Sequence, residues 1–175
     1  DRIGFADDVE AGAGDWTHTG TPDVWHISTN RSYSAAHAWY CGNDLTSQYA
    51  NWVECSLASG SIVVGKGATL SLRHYIATEL MDSQYAYDGG IVELSTNAGA
   101  TYAQIAPTNG YPYKIAGGSG SPFAADTPCF AGSGGWQQSV FSLAAYTGQT
   151  VRIRFRFGSD SSKVSTGWFV DDIIV

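Results

Sequence analysis

Residues 167–175 have the sequence GWFVDDIIV, in which aromatic and β-branched residues surround two adjacent carboxylates. That composition is typical of a β-strand. Because successive side chains of a strand point to opposite faces, Asp171 and Asp172 cannot both reach water if one face is covered. One of them should point inward, and a buried carboxylate requires a cation or several hydrogen-bond donors. The segment itself contains no Lys or Arg to supply the cation.

The opposite end of the sequence supplies further acidic residues. Residues 5–12 read FADDVEAG and contain Asp7, Asp8 and Glu10. Calcium is a hard cation that takes several oxygen ligands, including carboxylates and backbone carbonyls. The two acidic clusters therefore suggest that the ends of the chain meet around a calcium ion. The alternative is that both clusters are simply solvated, since acidic pairs are common in a chain of this composition.

The composition indicates a β-rich, acidic protein. Of the 175 residues 43% are hydrophobic and only 14% are charged, and 21 are glycine. Glycine, serine, threonine and aromatic residues favour strands and turns over helices. The formal net charge of −7 argues against nucleic acid as a partner, because phosphate binding needs a basic surface. No apolar run approaches the roughly 18 residues of a membrane-spanning helix, and without a signal peptide or initiator Met we expect a mature fragment or an excised domain.

Several stretches alternate between apolar and polar residues with the period of a strand. The clearest is Val151–Phe157, in which every second residue is apolar and three arginines lie between them. Ala68–His74 and Ile91–Ser95 are further strand candidates, and no stretch shows sustained helical periodicity. Many short strands separated by turn residues predict an all-β fold, an antiparallel β-sandwich formed by residues 1–175 as a single domain. With the termini brought together, a jelly roll is the expected topology.

Two features of this pattern have open interpretations. The arginine face of Val151–Phe157 is either an anion-binding strip or a solvated sheet face that discourages edge pairing, and we favour the solvated face. Residues 106–135 show neither the hydrophobic period of a strand nor that of a helix, and they are rich in Gly, Pro and Ser. A structureless loop of that length is unusual in a compact domain and is often functional. We expect either a binding element or a floppy insertion there.

The chain lacks the motifs of common hydrolases. HExxH and GxSxG do not occur, and the four histidines are scattered without metal-ligand spacing. Cys41, Cys55 and Cys129 show no zinc spacing, and their odd number allows at most one internal disulfide. These observations favour a non-catalytic domain over an independent hydrolase.

Aromatic side chains are the candidate ligand-binding groups. A strand is predicted over Trp52–Leu57, and its alternation places Trp52 on the polar face. Amphipathic rings suit a planar, polar ligand such as a sugar. The candidates for an exposed binding site are Trp52 and Tyr40, together with Tyr111 and Tyr113 in the long unpatterned segment.

A series of motifs along the chain carries a family resemblance. The motifs are VEAG (residues 9–12), TPDVWH (21–26), AHAWYCG (36–42), YDGGIVELST (87–96) and GWFVDD (167–172). In this order, and over nearly the whole chain, they resemble the MAM-like jelly-roll domain of immune-inhibitor-A-type secreted bacterial metallopeptidases. The opening and the ending are also similar to those of carbohydrate-binding jelly-roll modules.

The resemblance implies a secreted, extracellular, non-catalytic accessory β-sandwich, often attached to a protease. It also implies a structural calcium between the N-terminal acidic segment and the final strand. By position, Glu10 and Asp171 are ligands and Asp8 is a third, with Asp172 or Asp7 as a further contributor. The implied partners are a neighbouring catalytic domain in the parent chain and a glycan or protein surface. The alternative function is that of a carbohydrate-binding module of a secreted enzyme or surface protein.

The chain departs from the family pattern at three positions. Tyr102 stands where tryptophan is expected, and Cys55 and Cys129 are not expected to be cysteine. These departures leave the disulfide state open without affecting the expected fold.

Overall fold

The computed structural model describes residues 4–175, which form strands in two main layers and one short 3-10 turn at Ala144–Tyr146. In chain order the strands are β1 (Ala6–Asp7), β2 (Thr17–Thr21), β3 (Trp25–Ser28), β4 (Ala38–Cys41), β5 (Glu54–Ala58), β6 (Ile62–Val63), β7 (Thr69–Ala77), β8 (Tyr85–Ala86), β9 (Gly89–Ser95), β10 (Ala103–Gln104), β11 (Tyr113–Ile115), β12 (Pro128–Cys129), β13 (Ser133–Ser142), β14 (Thr150–Gly158) and β15 (Gly167–Ile174). Within the described residues, no helix has the length and hydrophobicity needed to cross a membrane.

Two antiparallel sheets face each other. The first has the strand order β13-β7-β15-β4-β3, with β1 paired to β15, and the second has the order β10-β9-β14-β5-β2, with β6 paired to β14. A small third sheet, β12-β11-β8, is attached, and its β11–β8 pair is parallel. The predicted fold, an antiparallel β-sandwich of the jelly-roll class, is confirmed.

The core lies between the two main sheets, as the alternation of β7 and β14 predicts. The apolar residues of β14 and the set Leu70, Leu72 and His74 of β7 are buried. Trp168 is fully buried at the centre, with its ring centroid 5.8 Å from those of Trp25 and Phe155. Aromatic pairs of this kind contribute about 0.5–1.5 kcal/mol beyond their burial. Only glycine fits at position 90, because a Cβ there would lie 2.4 Å from the Trp168 ring.

Two of the three arginines on the other face of β14, Arg154 and Arg156, are paired with acidic residues. Arg154 Nε donates to Glu93 Oε2 at 2.6 Å, and Arg156 forms an ion pair with Glu54. The interpretation of this face as protection of a sheet edge is wrong, because β14 lies in the middle of its sheet. Alternation along one strand reveals which face is buried, but not which strands flank it.

The segment 106–135 contains strands and a small core of its own, which argues against the alternative of a floppy insertion. It contains β11 and β12, and β11 pairs with β12 and β8. A second small core forms beneath it, built from Ala86, Ile91, Ile115, Phe123, Cys129 and Ala131. The strands are only two or three residues long, which is too short for a period-2 pattern to stand out in the sequence.

His74 is a buried histidine held in one tautomer by its partners. Trp168 Nε1, which can only donate, lies 3.2 Å from His74 Nδ1, so Nδ1 must accept. The ring proton is therefore on Nε2, which donates to Ser139 Oγ at 2.9 Å. Burial lowers the pKa of His74 to about 3. His74 is thus a neutral member of the core at physiological pH.

Cys41 and Cys55 face each other across the sandwich. Cys41 is on β4 in the first sheet, Cys55 is on β5 in the second, and their Sγ atoms are 3.3 Å apart. Both thiols are buried, and burial raises the pKa of Cys41 well above its usual value. Because the thiolate is the reactive form, exchange in the folded protein should be slow.

We predict that oxidative refolding joins Cys41 to Cys55 and leaves Cys129 as a thiol. The bond should raise the free energy of unfolding by about 2–4 kcal/mol. Alkylation after denaturation should then detect one thiol in the oxidised protein and all 3 after reduction. A Cys55→Ser variant, as the control, should show the same thiol count with and without reductant. Three alkylated thiols in oxidatively refolded wild type would contradict the pairing.

Candidate functional sites

The two ends of the described chain are joined by backbone hydrogen bonds. Phe5 N donates to Val175 O at 3.0 Å, and Val175 N donates to Phe5 O at 2.8 Å. Next to them, β1 pairs with β15 in the register Ala6–Ile174 and Asp7–Ile173. The N-terminal acidic segment and the final strand therefore lie at one corner of the sandwich, as the sequence suggested.

Asp171 is the inward-pointing carboxylate of the final strand. It is fully buried, and its Oδ2 accepts hydrogen bonds from the backbone N–H groups of Tyr33 (2.7 Å) and Ser34 (3.1 Å). Its Oδ1 accepts from Asp172 N at 2.8 Å. Burial raises the pKa of Asp171, while these three hydrogen bonds to the charged form oppose the rise. The chain thus satisfies this carboxylate with backbone donors.

Glu10 binds the same segment from the other side. Its Oε1 accepts from the N–H groups of Ala36 (2.9 Å) and His37 (2.7 Å), and its Oε2 lies 2.7 Å from His37 Nδ1. The hydrogen bond from the His37 side chain, followed by those from the two backbone N–H groups, lowers the pKa of Glu10. Glu10 and Asp171 therefore clamp one loop, residues 33–37, which we call the clamped loop.

Asp8 and Asp172 border a small cleft beside that clamp. At Asp172, β15 is irregular, with a shift in strand register beyond Asp171 and a positive φ of 45°. Its Oδ1 accepts from the Ser34 hydroxyl at 2.7 Å. The cleft, of about 200 Å³, is lined by Ala6, Asp7, Asp8, Asp172 and Ile174. The structure therefore brings all four predicted metal ligands to one corner. Glu10, Asp171 and Asp172 contact the clamped loop, and Asp8 lines the cleft.

A second acidic cluster lies away from the termini. One carboxylate oxygen from each of Glu79, Asp88 and Asp160 lies within 4.8 Å of the others, which makes the cluster a possible metal-binding group. Glu79 follows β7, Asp88 precedes β9, and Asp160 follows β14. Asp88 is fully buried and Asp160 nearly so.

Asp88 is the central residue of this cluster. Its Oδ2 accepts from the Tyr49 hydroxyl at 2.6 Å, and its Oδ1 accepts from Asp160 N at 2.7 Å. Burial raises the pKa of Asp88 to about 7, with further contributions from the negative charges of Asp160 and Glu79. Tyr49 shows the reciprocal effect, since burial and the neighbouring Asp88 raise its pKa far above the usual range.

No pattern in the sequence predicts this cluster. Asp88 stands in a DGG turn, Asp160 stands in a loop, and Glu79 lies in an irregular segment. Their spacings correspond to no metal motif, because each residue comes from a different strand end. The signal in the sequence was that acidic residues occur at three strand boundaries, which becomes informative only once the strand order is known.

A cleft of about 670 Å³ opens between β10 and the small third sheet. Its walls combine tyrosine and proline rings with polar groups: Gln84, Tyr85, Gln104, Tyr111, Pro112, Tyr113 and Lys114. Tyr111 is held rigidly, since its hydroxyl donates to Ile105 O at 2.7 Å and accepts from Val92 N at 3.1 Å. Two of the four candidate aromatic residues, Tyr111 and Tyr113, thus share one cleft. We call it the tyrosine cleft.

The other two aromatic candidates lie elsewhere. Trp52 is 60% exposed, as expected, but it belongs to a turn with a φ of 60° before β5 rather than to the strand. It lines a smaller cleft with Gly120 and Pro122. The expectation that Tyr40 is exposed was wrong. Tyr40 is fully buried, stacks on Phe169 with centroids 3.9 Å apart, and donates to Thr166 O at 2.6 Å. Arg31, which precedes the clamped loop, packs over the Tyr75 and Phe169 rings on this face of the sheet, and strand alternation alone could not predict that contact.

Comparison with known proteins gives one relative in sequence. No protein-family model matches the chain. The chain is 25% identical to Bacillopeptidase F of Bacillus subtilis (strain 168) over 175 residues, which is 98% of this chain and 10% of that protein. The chain therefore spans about a tenth of the length of this relative.

Solved structures with the same fold include carbohydrate-binding and adhesin domains. One is a carbohydrate-binding module of the β-sandwich superfamily with promiscuous specificity (TM-score 0.56, 13% identity, 97% of this chain and 60% of that chain). Another is the K1 cleaved adhesin domain of Lys-gingipain from Porphyromonas gingivalis W83 (TM-score 0.56, 13% identity, 98% and 96%). A third is TmCBM61 in complex with β-1,4-galactotriose (TM-score 0.56, 8% identity, 97% and 94%). At these low sequence identities, the similarity shows only that the fold is shared.

Proposed function

We propose that this chain is a non-catalytic, calcium-stabilised accessory module of a secreted bacterial peptidase. The observation that carries the proposal is the match to Bacillopeptidase F, which covers 98% of this chain but only 10% of that protein. A segment of that size, without a hydrolase motif of its own, is suited to holding a neighbouring catalytic domain or to engaging a substrate or surface. Whether the parent peptidase is a metallopeptidase, as the motif resemblance implies, stays a prediction.

The calcium part of the proposal concerns the corner where the termini meet. Asp8, Glu10, Asp171 and Asp172 are the proposed ligands. What supports them is that Glu10, Asp171 and Asp172 all accept hydrogen bonds from the clamped loop, and that Asp8 and Asp172 line the adjoining cleft. An ion that binds only the folded state stabilises it by mass action, by about 2.7 kcal/mol at a hundredfold excess over Kd.

The double variant Asp8→Asn/Asp172→Asn is expected to lose calcium affinity at this corner by at least tenfold, because it removes two carboxylates while keeping the side-chain shapes. Calcium titration calorimetry on chelator-treated protein measures the loss. Asp15→Asn, an exposed aspartate of the same N-terminal segment, is the matched control and should bind calcium like wild type. Unchanged affinity and stoichiometry in the double variant would remove the terminal site from the proposal.

A carbohydrate-binding role is the second candidate, and the tyrosine cleft favours it. The cleft combines partly exposed tyrosine rings with amide, hydroxyl and ammonium groups, which are the groups that pack on and hydrogen-bond a sugar. Hydroxyl groups of Tyr85 and Tyr111 are anchored, to Asp126 Oδ1 at 3.2 Å and to Ile105 O at 2.7 Å. A preformed wall reduces the entropy lost on binding.

We expect Tyr113→Ala to weaken binding of β-1,4-linked galacto-oligosaccharides at least tenfold, through loss of a ring that lines the tyrosine cleft. Titration calorimetry with β-1,4-galactotriose and a screen of plant and bacterial polysaccharides provide the measurement. Tyr33→Ala removes an exposed tyrosine of the clamped loop, which does not line the tyrosine cleft, and should have no effect. Loss of binding in Trp52→Ala but not in Tyr113→Ala would move the sugar site to Trp52. Absence of binding by wild type to the whole screen would remove this candidate.

A further inference from the structure

Three loops from both main sheets meet at Glu79, Asp88 and Asp160, none of which lines the cleft at the terminal corner. Glu79 leaves the first sheet after β7, whereas Asp88 and Asp160 adjoin β9 and β14 of the second. Their mutual oxygen distances of at most 4.8 Å would place three like charges together if all were ionised. Such a group needs a proton, a cation or both.

Glu79 has a buried carboxylate oxygen that accepts no hydrogen bond from the described residues. Its side chain is only 9% exposed, and its Oε2 is buried without a hydrogen-bond partner among the described residues. Its Oε1 lies 3.5 Å from Lys163 Nζ, but that lysine side chain is 80% exposed. A solvated ammonium at this distance screens the cluster from outside and does not fill its interior.

The other two carboxylates are already oriented by donors. Tyr49 and Asp160 N donate to Asp88, and Ser162 N donates to Asp160 Oδ1 at 2.9 Å. Each carboxylate oxygen retains a second lone-pair site after accepting one hydrogen bond. The oxygens are therefore fixed in direction and still able to coordinate an ion, in the manner of ligands held by surrounding hydrogen bonds.

We propose that Glu79, Asp88 and Asp160 bind a divalent cation, and that the cation is Ca²⁺. The donor set consists of oxygen alone, which suits calcium or magnesium rather than zinc or copper. Calcium accepts six to eight oxygen ligands in a flexible geometry, which suits three carboxylates whose positions are fixed by the fold, whereas magnesium demands a near-ideal octahedron and is usually bound through one or two carboxylates and several waters.

An ion at this position would connect the first main sheet to the second. It would tie the end of β7 to the start of β9 and to the loop after β14. Trp52 is attached to the same loop, since its backbone N–H donates to Asp160 O at 2.7 Å. The site would thereby also order the turn that presents the exposed Trp52 ring. This site is separate from the terminal calcium of the proposed function and does not depend on it.

The test is calcium titration calorimetry of chelator-treated protein in the Asp8→Asn/Asp172→Asn background, where the terminal corner is disabled. We expect one equivalent of calcium to bind, and Glu79→Gln to weaken it at least tenfold. Glu54→Gln makes the same chemical change at an exposed glutamate of the second sheet and should leave the affinity unchanged. Glu79→Gln should also keep or raise the unfolding midpoint in chelator, because it removes a like charge, which distinguishes a lost ligand from a damaged fold.

Two results would overturn the proposal. The first is that this background binds no calcium, or that it binds calcium equally well with and without Glu79→Gln. The second is that Lys163→Gln lowers the midpoint in chelator while calcium has no effect, because Lys163 would then be the counterion of the cluster. Preserved or tightened calcium binding in Lys163→Gln would support the cation site. Tighter binding of Mg²⁺ than of Ca²⁺ would overturn the assignment of the ion.

Discussion

Replacing Asp171 by alanine is expected to lower the free energy of unfolding by about 3–5 kcal/mol in chelator, because three backbone N–H groups lose their acceptor. The backbone N–H groups of Tyr33 and Ser34 would be left without the carboxylate that holds the clamped loop. The backbone N–H of Asp172 would lose its hydrogen bond to the Asp171 side chain. Denaturant unfolding followed by tryptophan fluorescence measures the change.

Asp172→Asn is the matched control for this prediction. Asp172 is the adjacent carboxylate, it is only partly buried, and the one hydrogen bond it accepts comes from the Ser34 hydroxyl, which an asparagine oxygen can still accept. Asparagine also tolerates the positive φ at this position. We expect this variant to stay within about 1 kcal/mol of wild type in chelator. An Asp171→Ala variant as stable as Asp172→Asn would show that the clamped loop does not depend on the buried carboxylate.

The second large effect is a loss of stability in acid caused by His74. Its pKa is about 3 in the folded state and about 6.5 in an unfolded chain. Below pH 6.5 the unfolded chain therefore binds a proton that the folded state does not. The stability associated with neutral His74 is fully present above pH 6.5 and is lost as the pH falls towards 3, by about 5 kcal/mol in total.

Comparison of wild type with His74→Gln isolates this contribution. The variant cannot ionise at this position, so its free energy of unfolding should fall less steeply between pH 6.5 and 4 than that of wild type. Asp88 contributes the opposite slope, because its raised pKa of about 7 gives stability that is present below about pH 3.9 and is lost as the pH rises through 7. That contribution is common to both proteins and cancels in the difference. Parallel pH profiles for the two proteins would refute the buried, neutral His74.

The strands that form the core could be predicted because their chemistry is local. The alternation of Val151–Phe157 and Ala68–His74 identified the buried faces, and the paired aspartates of the final strand required one of them to point inward. Asp171 does point inward, but no sequence pattern indicated that residues 33–37 supply its donors. The two hydrogen bonds from Tyr33 and Ser34 join residues that are separated from Asp171 by 138 and 137 positions in the sequence. Only the strand order brings these residues together.

The remaining features depend on elements too short or too distant to leave a pattern. The strands of segment 106–135 are ordered by pairing with Tyr85–Ala86 and by a small core, not by their own periodicity. The prediction that Tyr40 is exposed failed because alternation along a strand does not show which groups cover the outer face of a sheet. Glu79, Asp88 and Asp160 come from three strand ends, and they form a cluster only after both sheets have folded.

The most direct test of the account is the thermal unfolding of the unmodified chain in excess calcium and again in excess chelator. At a hundredfold excess over Kd, a single calcium that binds only the folded state should raise the midpoint by about 5–10 °C. A rise of that size would support a calcium-stabilised module. Equal midpoints in calcium and chelator would contradict it, and would mean that the carboxylates at both sites are satisfied by protons, backbone donors and Lys163 alone.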